Sequence, residues 1–139
     1  MARNLRGLIT IDYVRHAPIF SPDEKMHVEL RMQMIINESA PGDALRIRPV
    51  GWRESRVELD LTVDVLDGDS IQLYGEARLF DRSSAAEQPH VESIRLLVSP
   101  AEPLMHTIDL GDSPFLSEAG FEHADIQMEW TNTPVEGPG

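Results

Sequence analysis

The sequence predicts an all-β fold: an antiparallel β-sandwich or jelly roll of about eight strands, with a closed β-barrel as the alternative. Three observations predict it. Apolar and polar residues alternate with period two through most of the chain, the pattern of strands buried on one face. Clusters of Gly, Pro, Asp and Ser punctuate these runs. No stretch sustains an apolar period of 3.6.

The clearest run is residues 56–80, RVELDLTVDVLDGDSIQLYGEARLF. Val57, Leu59, Leu61, Val63 and Val65 alternate with Glu58, Asp60, Thr62 and Asp64. The second arm sets Ile71, Leu73, Ala77 and Leu79 on one face, with Gly75 as a break. A two-residue turn at Asp67-Gly68 would oppose apolar to polar residues along the whole ladder, because a one-residue slip exchanges the faces. The odd loop Asp67-Gly68-Asp69 instead pairs Val65 with Ile71, Val63 with Leu73 and Leu59 with Ala77. It requires a left-handed residue at Asp69. It also opposes Asp60 to Glu76, and like charges across a ladder are destabilising. Arg78, diagonal to Asp60 and opposite Glu58, is the simple compensation; a bound cation is the other.

The remaining elements follow in order. Residues 1–6 read as a flexible polar arm, 7–132 as a single sandwich domain and 133–139, rich in Pro and Gly, as a disordered tail. The first strand covers 7–16, with Ile9, Ile11 and Tyr13 inward. Ser21-Pro22-Asp23-Glu24 carries helix-start chemistry, but no apolar period follows, so one turn is expected. The longest strand is 26–37: Met26, Val28, Leu30, Met32, Met34 and Ile36 take one face and His27, Glu29, Arg31 and Gln33 the other. A short strand at 44–48 should place Ile47 against Val57 and Arg46 against Glu58. Residues 81–90 are polar, with a helical turn expected at 84–87. Strands follow at 91–99, at 104–110, where His106 shares the inward face, and at 125–131. A short helix capped by Ser117 is expected at 115–123.

Composition excludes several classes of function. The chain has 139 residues, no cysteine and a formal charge of −12. Disulfides and thiolate metal sites are absent. The charge repels nucleic acid and anionic lipid. No apolar run has the length of a membrane-spanning helix. Residues 1–6 lack the apolar segment of a secretory signal, so a cytoplasmic protein is the expectation.

Two clusters are candidate sites. Asp64, Asp67 and Asp69, with Asp112 in another turn, form an acidic set of the oxygen-donor type that Ca²⁺ accepts. EF-hand spacing is missing, and a solvated acidic turn explains the same residues. No other cofactor is expected. Arg48, Trp52, Arg53 and Arg56, with Arg46 nearby, interleave arginine with an aromatic residue, as protein interfaces do. In the simpler arrangement Arg46 and Arg48 pair with Glu58 and its neighbours while Trp52 covers the core. The five histidines form no HxH or HExxH pattern. No nucleophile elbow, phosphate loop or dinucleotide fingerprint occurs.

The expected function is therefore a non-catalytic binding or assembly module. Its partner would be a protein or a second copy of the chain, not nucleic acid or membrane. The outward face of 26–37, with Ile35 among polar residues, is the expected contact. The alternatives are a Ca²⁺-dependent domain for carbohydrate or anionic ligands, and an enzyme of unfamiliar type using His106 or the Asp60/Glu76 pair.

Overall fold

The computed structural model describes residues 2–15, 22–37, 42–52, 55–80, 90–111 and 122–135. Eight strands are formed: β1 (Arg3–Arg15), β2 (Glu24–Ile36), β3 (Asp43–Ile47), β4 (Arg56–Val65), β5 (Ile71–Phe80), β6 (His90–Val98), β7 (Leu104–Gly111) and β8 (Glu122–Pro134). They build two four-stranded antiparallel sheets, ordered β2-β1-β8-β7 and β3-β4-β5-β6. The protein is an antiparallel β-sandwich.

The strand order is a meander rather than the Greek keys of a jelly roll. Every sequential pair is hydrogen-bonded except β2/β3 and β6/β7, where the chain passes between sheets. β1 and β8 complete the circuit through a 13-residue ladder. The β2/β3 and β6/β7 seams carry no ladder among the described residues, so the barrel is not closed.

The central hairpin takes the register that face-matching demands. Val65 pairs with Ile71, Val63 with Leu73, Leu59 with Ala77 and Asp60 with Glu76. The loop Asp67–Asp69 is closed by bonds from Leu66 N–H to the Ser70 carbonyl (2.7 Å) and from Asp69 N–H to the Leu66 carbonyl (3.2 Å). Gly68, at φ 81° and ψ 13°, has the conformation of the third residue of a type II turn. Asp69 is left-handed as expected, at φ 68°.

Inward residues of both sheets merge into one core that includes Leu5, Ile9, Ile11, Leu59, Leu73, Ile94, Ile126 and Trp130. Gly7 lies opposite Trp130 across the β1/β8 ladder. A Cβ on Gly7 would come within 2.5 Å of the Trp130 ring, so the indole occupies the place that a side chain would take.

Several boundaries differ from expectation. Residues 3–6 of the expected arm are the start of β1: Arg3 pairs with both Ile36 and Pro134, and Leu5 is buried. Arg3 is buried with Asn132 as its acceptor, a partner that local composition does not reveal. Thr133 and Pro134, expected in the tail, belong to β8 and pair with Asn4 and Arg3. Pro22 and Asp23 are not helical. β3 pairs two residues further along than expected, with Ile47 opposite Leu59 and Arg46 opposite Asp60. The shift preserves both faces, and hydrophobic alternation cannot detect it. His106 is half-buried rather than a core residue. The turn expected at 84–87 and most of the helix expected at 115–123 lie outside the described residues, while Glu122 and His123 are in β8.

Tyr13 ties the sheets together. Its hydroxyl accepts a bond from Val57 N–H (3.2 Å) and donates one to the Val50 carbonyl (3.1 Å). Tyr13→Phe leaves a buried N–H unpaired and is expected to cost about 1–3 kcal/mol in urea unfolding. Burial raises the Tyr13 pKa above the ordinary 10.0, against a smaller lowering by the Val57 bond. Both states hold this proton well below pH 10, so the contribution is complete there. Above the unfolded value only the unfolded chain ionises at this site, and stability falls as pH rises towards the folded value. Part of the alkaline decline should disappear in Tyr13→Phe.

Candidate interaction surface

Hairpin alternation brings Arg56, Glu58, Asp60, Asp64, Glu76 and Arg78 onto the outer face of the second sheet. Arg48 donates to Asp60 at 2.7 Å and to the carbonyls of Ile47 (3.0 Å) and Leu59 (3.2 Å). Arg78 bridges Asp60, Glu76 (3.6 Å) and Glu58 (3.9 Å). Arg56 reaches Glu58 at 3.3 Å and lies 4.3 Å from the Phe80 ring centre. The opposed Asp60 and Glu76 are thus compensated by Arg78, and by Arg48 as well. An opposed like-charge pair costs about 0.2–1 kcal/mol, comparable to one exposed ion pair, so the network offsets it.

This arrangement changes the meaning of the arginine cluster. Arg48 and Arg56 are engaged in neutralising this face. Arg46 is exposed opposite Asp60. Trp52 packs against the core and exchanges backbone bonds with Ser55 (2.8 and 2.9 Å). Arg53 lies outside the described residues.

The proposed calcium ligands are also occupied in part. Asp64 accepts a bond from Gly42 N–H and one from the Tyr74 hydroxyl. The Asp64 bond is the largest cause holding the Tyr74 proton more tightly than usual. Asp67 and Asp69 lie in the hairpin loop, and Asp112 is outside the described residues. On the outer face of the first sheet, Asp12, Asp125 and Asp109 stand in one cross-strand row. His27 lies 2.6 Å from Asp12, and His123 3.6 Å from Asp125. Among the described residues no three His, Asp or Glu side chains are grouped to hold a metal ion.

The four sheet edges are not equivalent. β3 is five residues long and places Asp43 on its inward parity. β6 carries Glu92 there, and β7 carries His106. Short length and inward polar residues are devices that keep an edge from pairing with another strand. β2 has neither. It runs 13 residues without Pro or Gly, and its inward positions from Met26 to Ile36 are all apolar. Met26, Leu30, Met32 and Met34 are only partly buried. Outward lie Lys25, His27, Glu29, Arg31, Gln33 and Ile35, the last 57% exposed. Beside this strand is a shallow depression of about 650 Å³, lined by Arg6, Leu8, Arg31, Gln33, Glu129 and Thr131 among others.

The alternation of β2 was legible in sequence; its position at an edge was not. Comparison with protein-family models and with curated proteins finds no match. Among the described residues, no helix is long and apolar enough to cross a membrane.

Proposed function

We propose that this β-sandwich is a non-catalytic assembly module that makes its protein contact by strand addition at β2. The observation that carries this is the contrast between edges. β2 is the longest, offers an uninterrupted row of backbone donors and acceptors, and leaves inward apolar side chains partly uncovered. Strand addition satisfies both deficits at once: main-chain bonds supply affinity and alternate side chains supply specificity. A neutral strand suits this role in an acidic protein. Glu24 and Glu29 balance Lys25 and Arg31, against a formal charge of −12 for the chain.

Light scattering behind size exclusion, combined with amide exchange, tests the proposal. From micromolar to millimolar protein the mass is expected to rise above that of one chain, and β2 amides are expected to gain protection in parallel. A single-chain mass throughout, with β2 exchange independent of concentration, rejects it.

A further inference from the structure

The sequence of β2 specifies which strand pairs with it. We infer that the partner is β2 of a second copy, antiparallel about a two-fold axis through Leu30. This inference rests on the strand-addition proposal and adds the occupant and the register.

Three observations converge on Leu30. It is the middle residue of the 13-residue strand Glu24–Ile36, so an axis there leaves no overhang. It is flanked by Glu29 and Arg31, both on the outward face and exposed. Their side chains meet at 3.3 Å within one chain. Antiparallel pairing about Leu30 sets Glu29 of each copy opposite Arg31 of the other, giving two cross-strand ion pairs. Finally, the rest of the strand is nearly palindromic in character. Val28 meets Met32, Met26 meets Met34, His27 meets Gln33 and Lys25 meets Ile35, where the lysine stem can cover the exposed isoleucine.

The parity is also right. Each pair joins two inward or two outward residues, so the apolar inner faces from Met26 to Met34 become continuous across the two copies, with Glu24 opposite Ile36 at each end. Outward-directed backbone groups likewise meet outward-directed ones. The result is one eight-stranded sheet, with each copy's methionines covered by the other. Moving the axis by one residue, to Glu29 or Arg31, places like charges on it and shortens the overlap.

A charge exchange and a cross-link test the register. E29R sets two arginines opposite each other at two places in the dimer, and R31E does the same with glutamates. Each single variant is expected to weaken dimerisation about tenfold or more. The double variant E29R/R31E should return it to near the parent value. The chain has no cysteine, so introduced ones report cleanly. Only a residue on the axis meets its own copy, at a Cα separation of about 4.5–5.5 Å that a disulfide tolerates. L30C should therefore cross-link to itself under oxidation. V28C and M32C alone should not, because two such copies lie roughly 13 Å apart. A mixture of V28C and M32C should cross-link, and serves if L30C folds poorly.

A dimer that forms but fails both the charge rescue and these cross-links overturns the register and leaves strand-addition assembly standing. A dimer whose β2 amides exchange as in the monomer overturns both. A single-chain mass under all conditions also rejects both.

Discussion

Asn132→Ala is expected to lower the unfolding free energy by about 3–5 kcal/mol, because it orphans a charge and two carbonyls inside the sandwich. Asn132 is 3% exposed near the end of β8, and Arg3 is 4% exposed on the adjacent β1. The Arg3 Nε–H donates to Asn132 Oδ1 at 2.9 Å. Asn132 Nδ2 donates to the carbonyls of Asp69 (2.7 Å) and Val98 (3.0 Å). One amide thus joins the ends of both central strands of the first sheet, β1 and β8, to the hairpin loop and the end of β6 in the second. Alanine removes all three bonds and leaves buried polar groups without their protein partner. Each neutral group so stranded costs about 1–3 kcal/mol, and a charged one more. Asn132→Asp retains the acceptor for Arg3 but turns a carboxylate towards two carbonyls, so it should also destabilise. Urea titration of both variants checks this. A loss below about 1 kcal/mol for Asn132→Ala would show that the network does not hold the sheets together.

Gly75→Ala is the second large effect, about 3–5 kcal/mol, at a position that looks innocuous in an alternating strand. Gly75 sits on the inward parity of β5, between Leu61 of β4 and Ile94 of β6. A Cβ there would collide with the Asp60 carbonyl oxygen and crowd Leu61 Cα. Those atoms are backbone within a ladder, so relief requires moving β4 away from β5 rather than turning a side chain. Gly68→Ala provides the contrast. A Cβ on Gly68 would meet nothing within 4 Å, so only its left-handed φ of 81° resists. That strain is about 1–2 kcal/mol. Thermal melts should therefore rank Gly75→Ala well below Gly68→Ala. Equal melting temperatures would mean that the sheet yields easily at Gly75.

The two glycines show how far local pattern carries. At Asp67-Gly68-Asp69 the chemistry is local: face-matching of the arms sets the loop length, and the loop length sets the left-handed residue. That deduction needs no knowledge of the rest of the molecule. At Gly75 the alternation showed a break but not its cause, which is the approach of another strand's carbonyl. The β3/β4 register is a similar case. Sliding β3 by two residues preserves every inward side chain, so contacts such as those of Arg48 with Leu59 and Asp60 must select the pairing seen. Arg3, Asn4 and Asn132 failed in the other direction. They are polar residues near the termini, which composition assigns to solvent, yet each is buried.

The candidate contact was legible only in part. Alternation along β2 was visible, as was Ile35 among polar neighbours. What makes the strand a candidate contact is its place at the edge of the order β2-β1-β8-β7. Glu92 and His106 acquire meaning the same way: each is a polar residue on an inward parity, which is a defect in a central strand and a safeguard at an edge.

By itself the sequence determined that the chain is all-β, where its strands lie and which side of each is apolar. Those properties depend on side-chain periodicity, and a period of two is a property of a strand whatever its neighbours. Tertiary structure alone decided which strands stand at the edges, which polar residues are taken inside and which glycine has no space for a methyl group. Each of these depends on atoms distant in sequence, and backbone groups carry no side-chain pattern to announce where they will approach.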